Sequence, residues 1–471
     1  MSMSPETEKA HDAVVIGPTS REQSISIKTI LKITLPVILS MFSLNLMVFV
    51  DRAFVSMYDL GQFAAVVPAG NVGTAISSIF IGIVGFVSTL IAQYYGAGKY
   101  PKCASSMWQG VYLSIFFSAV MLLVSPLAVN IFNWMGHTGE LLVYERQFFY
   151  LIMVSSCVQL FITAFSGLFR GVASTTVIMM VGILSNIFNV LLDWLLIFGK
   201  LGFPELGGIW GSGVAIIGSS VLAVIVYMIL LGRRGVQAKY EISAQKKWDG
   251  ALLRKLLRFG FPAGIQAFLG TGYFSLLLLI IGKTGEFPLS ASNIAFTIEG
   301  VSIFPVWGLG AAIAIIAGQE KGAGRLDNVK RAAKLGLGIG LVFNVLIIFI
   351  FNLFPQALIS IFGGGEQQDM FLKLMAVTVP LVRLTSLWIV FDTMQIIIGN
   401  VLRAAGDTMF MMVIYIVVPI LFYIVIPYLF SVVWGLSLIW IWIALVVYSM
   451  VMLLLVSVRF LGGKWKRIEV I

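Results

Sequence analysis

The chain has 471 residues, of which 59% are hydrophobic and only 11% charged, with a formal net charge of +10. A soluble protein of this length could not hide so much apolar surface. Cys103 and Cys157 give no disulfide framework, and His11 and His137 are too few and too far apart for a histidine metal site.

The first 25 residues are polar, of mixed charge and without a signal-peptide pattern, so the first apolar segment is expected to stay as an anchor. Stretches long and apolar enough to span a bilayer follow at 29–52, 62–92, 104–132, 147–169, 174–199 and 208–232. A polar segment, 233–255, carries Arg233-Arg234-Gly235, Gln245-Lys246-Lys247 and Asp249-Gly250, and reads as a linker with an amphipathic piece lying on the membrane. Six further apolar stretches lie at 256–282, 288–318, 335–354, 374–402, 407–431 and 434–460. The expected fold is an all-α polytopic membrane protein of twelve transmembrane helices in two six-helix pseudo-symmetric lobes. A β-barrel is excluded because its strands would alternate polar and apolar residues. Trp434, Trp440 and Trp442 read as anchors at the membrane interface.

The two halves repeat. Gln93-Tyr94-Tyr95-Gly96-Ala97-Gly98-Lys99 returns as Gln319-Glu320-Lys321-Gly322-Ala323-Gly324-Arg325, and at the same offset Leu35-Pro36 returns as Phe261-Pro262. A second phrase, Arg170 to Met179, returns as Arg403 to Met412. Six helices per half give both halves one orientation, hence a parallel repeat about an axis along the membrane normal, a plan common among carriers. The Gly-Ala-Gly phrases, at helix ends beside basic residues, read as helix stops with tight turns.

Most of the 31 basic residues fall in loops that share one side if the N-terminus is cytoplasmic; the exceptions are Arg52, Arg146, Lys200, Lys283, Lys373 and Arg383. The positive-inside rule then places both termini and the linker in the cytoplasm, and the basic excess is a topology signal that argues against nucleic-acid binding. The expected organisation is a cytoplasmic tail (1–28), an N-lobe (29–232), the linker (233–255), a C-lobe (256–460) and a cytoplasmic C-terminal tail (461–471). The chain is expected in the inner (plasma) membrane as a monomer, contacting the lipid bilayer and small amphipathic substrates.

Soluble-enzyme motifs are missing from the sequence: no phosphate-binding Gly-Lys-Ser/Thr loop, no His-Glu-x-x-His and no serine elbow, so no enzyme and no cofactor is expected. The informative residues are ionisable groups inside apolar helices, each costing about 2.5–3.5 kcal/mol at a helix centre. Asp51 closes the apolar run Met41 to Val50. Asn186, Asn189 and Asp193 stand at i, i+3 and i+7 and share a helix face. Amides and carboxylates offer oxygen ligands, which suit Na⁺ or a proton held on a carboxyl; the plainer reading is hydrogen-bonding glue between helices. In the second half the intramembrane charges are Glu299, Arg383 and Asp392. Asp392 and Gln395 stand at i and i+3, so Glu299, Asp392 and Gln395 form a candidate substrate or second cation site. Arg383 reads as a partner for a buried carboxylate or as a snorkel toward the surface.

Several segments resemble the multidrug and toxic compound extrusion (MATE) family of cation-coupled antiporters. They are Val48-Phe49-Val50-Asp51; Asn189-Val190-Leu191-Leu192-Asp193-Trp194 running on to Gly199, with Pro204-Glu205-Leu206-Gly207; Gly318-Gln319 with Gly322-Ala323-Gly324; and Phe391-Asp392-Thr393-Met394-Gln395 with Leu402-Arg403-Ala404-Ala405-Gly406-Asp407. The resemblance covers roughly 29–460. It implies that Asp51, Asn189 and Asp193 form an N-lobe site for H⁺ or Na⁺, and that Asp392 matches an acidic position of the family's sodium-coupled branch. It also shows departures: Gly270 stands where that branch has a glutamate, and Ile216 where the N-lobe site often has a threonine. The expected function is export of amphipathic, cationic drugs or toxic compounds by alternating access, in exchange for inward H⁺ or Na⁺. The alternative is a flippase for a lipid-linked precursor, a role found in the wider superfamily, which would expect a cationic cavity.

Overall fold

The computed structural model describes residues 25–363 and 368–471; most of the tail read as 1–28 lies outside them. Twelve helices are long and apolar enough to span: α1 (Ile27–Tyr58), α2 (Leu60–Gly96), α3 (Tyr100–Trp134), α4 (Gly139–Gly171), α5 (Thr175–Ile197), α6 (Gly208–Leu231), α7 (Gly250–Gly282), α8 (Glu286–Gly322), α9 (Leu326–Leu353), α10 (Asp369–Ala404), α11 (Thr408–Val433) and α12 (Leu438–Leu461). No strand occurs among the described residues. The chain is a multi-pass membrane protein.

Local chemistry sets where the helices start and stop. Ser26 Oγ accepts from the backbone N–H of Thr29 (3.2 Å) and caps α1. Asp59 interrupts the chain between α1 and α2, capping α2 by accepting from the N–H of Gln62 (2.6 Å). At the ends of α2 and α8, Gly98 (φ 73°) and Gly324 (φ 74°) take the left-handed conformation. There the N–H of Lys99 reaches Tyr94 O and that of Arg325 reaches Glu320 O, closing the last turns. The repeated Gly-Ala-Gly phrases are helix stops, as expected. Pro36 and Pro262 sit inside α1 and α7 at equivalent places. α11 departs from its N-lobe counterpart α5. It widens into π-helical turns over Ile420–Val425 and Leu429–Val433, next to Pro419 and Pro427, each of which removes a backbone donor.

The segment between the lobes is shorter and less free than expected. Asp249 caps α7 by accepting from the N–H of Leu252 (3.0 Å), so Gly250–Lys255 already belong to that helix. The short helix Arg234–Tyr240 turns Val236 and Tyr240 into the N-lobe core rather than onto the membrane. Trp108 Nε1 donates to Ile242 O (2.8 Å) and Gln109 Nε2 to Lys247 O (3.0 Å), holding the linker on α3. Tyr112 also donates to Lys246 O. Lys102 pairs with Asp249 (3.0 Å), and the backbone N–H of Leu252, then Lys102, hold the Asp249 carboxyl below its usual range. The last residues are equally fixed: Trp465 is buried in the C-lobe core and Val470 in the N-lobe core.

The lobes are crossed. The start of α1 (Ile30, Ile33) buries in the C-lobe core, and the start of α7 (Leu252, Leu256) in the N-lobe core. α2 packs on α7 and α8, and α8 on α1 and α2. At the end of the molecule carrying the linker, the repeated phrases meet. A Cβ on Gly96 would lie 1.8 Å from Gln319 O, and one on Gly322 1.9 Å from Gln93 O, so only glycine lets these backbones touch. Gln93 Nε2 donates to Ala404 O (2.7 Å) and Gln319 Nε2 to Gly171 O (2.8 Å). The repeat thus closes on itself, each half's glutamine holding the other half's second phrase. Lys321 Nζ adds bonds to Ala405 O (2.6 Å), Trp465 O (2.8 Å) and Ile468 O (2.8 Å). Among the described residues, hydrogen bonds and backbone approaches of this kind join the lobes only in the linker half. Farther out, Gly270, Gly272 and Gly300 have no neighbouring atom within 4 Å of a built Cβ.

Trp442 is not an interface anchor. It is 1% exposed, stacks on Phe296 (4.7 Å) and donates from Nε1 to Ser292 Oγ (3.3 Å). The indole finds a polar partner inside the bundle, so it need not reach water. Trp434 and Trp440 are exposed.

Candidate functional site

The N-lobe cluster forms where α1, α5 and α6 meet. α1 runs straight through Asp51 to Tyr58, so this carboxylate lies within the helix rather than at its end. Asp51 is 5% exposed, and Asn189, Asp193 and Ser212 are 0% exposed. Turned so that its Nδ2 faces the carboxylate, Asn189 donates to Asp193 Oδ2 (3.1 Å) and accepts from the backbone N–H of Ile216 (3.2 Å). The i, i+4 spacing on α5 makes that pair, and the apolar turn of α6 supplies the second partner. Asp193 lies close enough to Asp51 to interact with its charge. Ser212 faces Asp51, but Asp51 Oδ1, Asp193 Oδ1 and Ser212 Oγ are all buried without a hydrogen bond of normal geometry. Asn186, the third member of the sequence stripe, instead donates to Ser43 Oγ of α1 (2.9 Å) and ties the two helices together.

Two buried carboxylates with orphaned oxygens, neither in a salt bridge among the described residues, make an electronegative cluster. Arg52 is exposed and acts on Asp51 only as a nearby charge. With both acids ionised the cluster is costly; a proton or a cation removes that cost.

The C-lobe cluster is built differently. Gln395 Nε2 donates to Asp392 Oδ1 (2.8 Å), and Tyr415 Oη of α11 donates to Gln395 Oε1 (3.2 Å). Glu299 of α8 interacts with the charge of Asp392, and Tyr423 lies near both. Glu299 and Asp392 are half-buried, while Gln395 is buried. Arg383 is exposed and forms no ion pair with Asp392; it lines a surface groove with Pro380 and Asn352. Ser212 and Tyr415 are the members that sequence reasoning missed. Ser212 hides in the small-residue run Gly211-Ser212-Gly213, and Tyr415 in an apolar helix, where neither shows a polar stripe.

With this geometry in hand, comparison with known proteins decides the family. The MatE family model matches residues 36–195 and 262–429, one block in each lobe. The chain belongs to the MATE family of transporters. A probable multidrug resistance protein NorM of Thermotoga maritima is 27% identical over 447 residues, covering 93% of both chains. The multidrug resistance protein NorM of Aliivibrio fischeri is 22% identical over 382 residues, covering 80% of this chain and 81% of that one. An outward-facing multidrug resistance MATE transporter has the same fold, with a TM-score of 0.82 at 19% identity over 96% of this chain and 98% of that one.

Proposed function

We propose that this MATE transporter exports amphipathic, cationic small molecules by alternating access, driven by inward movement of H⁺ or Na⁺. The observation that carries this reading is the buried Asp51–Asn189–Asp193 cluster with two orphaned carboxylate oxygens. Relatives that bear the multidrug resistance name support the substrate class. The ionised acids attract a cationic substrate or shape its pocket. Entry of H⁺ or Na⁺ neutralises them, α1 repacks, and substrate leaves outward. An inward-moving charge gains about 2.3 kcal/mol per 100 mV; one-for-one exchange with a monovalent cationic substrate cancels that gain, so uphill export then draws on the ion's concentration gradient or on a second ion. Glu299, Asp392 and Gln395 serve as the substrate or second cation site in the C-lobe. The flippase alternative expects a cationic cavity; the buried clusters within the lobes are acidic, and the two arginines that share a space between the lobes, Arg170 and Arg403, lie at the linker end in the last turns of α4 and α10.

Site chemistry favours H⁺ as the coupling ion. Na⁺ needs several oxygens held in place. Ile216 N–H already occupies one lone pair of the Asn189 oxygen, and Ile216 and Gly270 add no side-chain ligand. A proton needs one carboxyl. The test is efflux from proteoliposomes driven by a pH gradient in sodium-free buffer. Robust efflux supports H⁺; efflux that requires Na⁺ and persists with the pH gradient collapsed overturns it.

The same reading puts the linker and both termini on the cytoplasmic side of the inner (plasma) membrane, with the transporter working as a monomer. The native cysteines Cys103 and Cys157 are buried, so single cysteines placed at Gln237 and Gly285 can be read separately. They should label from opposite sides; labelling from one side breaks the topology.

A further inference from the structure

Between the lobes, just inside the crossed glycine contacts, lies a cavity of about 210 Å³ lined by both halves. Arg170, in the last turn of α4, and Arg403, in the last turn of α10, both face it. They are the leading residues of the repeated second phrase, so the pseudo-symmetry brings one arginine from each lobe to one space. Thr89, Asn400 and Thr408 add polar groups to the wall, and no acidic residue is among the residues lining it.

A basic residue in the last turn of a helix is common, and alone it says nothing about a ligand. Here the surroundings differ. Arg170 is exposed, and it is one of the residues lining the cavity. It makes no hydrogen bond or ion pair among the described residues, and Arg403 makes one, donating from Nη1 to Gln266 Oε1 (3.2 Å). The two buried acids at this end are already taken: Asp407 by Arg459 (2.7 Å) and Glu320 by Arg325 (2.5 Å). The carbonyls of Gly171 and Ala404, next to the two arginines, are filled by Gln319 and Gln93. Two guanidinium groups face one space between packed helices with no acidic residue in its lining, an arrangement that suits an external anion. A guanidinium's planar fork matches an oxyanion in two-point contact better than it matches a spherical ion.

We propose that this cavity binds a small free oxyanion, of the class of phosphate or a small carboxylate, held between Arg170 and Arg403. The ligand would tie the lobes together at the linker end, with Thr89, Thr408 and Asn400 as secondary contacts. Arg403 also stacks on Tyr415 (5.8 Å), which bonds to Gln395, so the anion would sit at one end of a chain of contacts reaching Asp392. The space lies between inner helices of both lobes rather than on the lipid face, which points to a dissolved anion rather than a headgroup.

The experiment is equilibrium binding of radiolabelled inorganic phosphate to the full-length protein, purified in detergent, at fixed ionic strength. Saturable binding of one phosphate per chain is expected, with affinity falling at least tenfold in Arg170→Gln and in Arg403→Gln. Arg170→Lys, which keeps the charge and guards against a folding defect, should retain part of it; each variant is checked for a single monodisperse peak. Absence of saturable binding, binding unchanged in both Gln variants, or displacement by chloride as effective as by sulfate would each overturn the proposal.

Discussion

The two lobes share a sequence phrase, a helix count and a fold, yet they hold their acids in opposite ways. In the N-lobe, Asp51 and Asp193 are buried with an unpaired oxygen each, and one amide is shared between the second carboxylate and a backbone N–H. In the C-lobe, Asp392 is half-buried and bonded to Gln395, which Tyr415 steadies in turn. An acid already met by protein donors gains little from taking up an ion, whereas an acid left short of partners gains much. Pseudo-symmetric backbones can therefore surround their acids with different partners: Asp392 is met by Gln395, while Glu299 beside it makes no hydrogen bond among the described residues.

The sharpest way to break this contrast is to remove the N-lobe carboxylates. Asp51→Asn and Asp193→Asn keep side-chain size and abolish the charge, so drug efflux should fall more than tenfold while expression stays near that of the unaltered protein. Full efflux from both variants would take these acids out of the mechanism.

A second test asks where the halves must behave alike. Gly96→Val and Gly322→Val each force side-chain atoms into the opposing backbone. Both should weaken closure of the linker end, lowering the melting temperature and cutting efflux severalfold, by similar amounts. A valine tolerated on one side alone would show that the crossed contact is not a symmetric closure.

The smallest expected effect sharpens the contrast from the other side. Asp392→Asn keeps a hydrogen-bond acceptor for Gln395, so what is lost is the charge assistance of that bond, on the order of 1 kcal/mol. Efflux should fall by a factor of about two to ten, well short of the N-lobe variants. Equal losses in efflux assays of all three Asn variants would erase the distinction between the lobes.

Much of the fold was legible because its signals are local. Long apolar runs mark twelve spans whatever their neighbours do. The Gly-Ala-Gly phrases mark helix stops because a left-handed C-terminal residue favours glycine. The Asn189–Asp193 pair was visible as spacing on one helix face. Membership of Asp51 in the same cluster came from resemblance, because it lies on another helix. Partners supplied by apolar-looking stretches were not legible: Ser212, the Ile216 N–H and Tyr415 are picked out by packing alone. Trp442 read as an interface anchor, and only the placement of Ser292 beside its indole explains its burial. Arg383 read as a partner for a carboxylate or a snorkel; its exposed position fits only the second.

The sequence by itself determined the number of spans, the two-fold repeat and the kinds of residue available inside the membrane, because hydrophobic length and helical period act over a few turns of chain. Tertiary structure alone decided that Gln93 crosses to Ala404 and Gln319 to Gly171, that two arginines share one cavity, and that each N-lobe acid keeps one buried unpaired oxygen while Asp392, bonded to Gln395, is half-buried. Those outcomes depend on which helix faces are brought together over more than a hundred residues of chain, and no local pattern encodes that pairing.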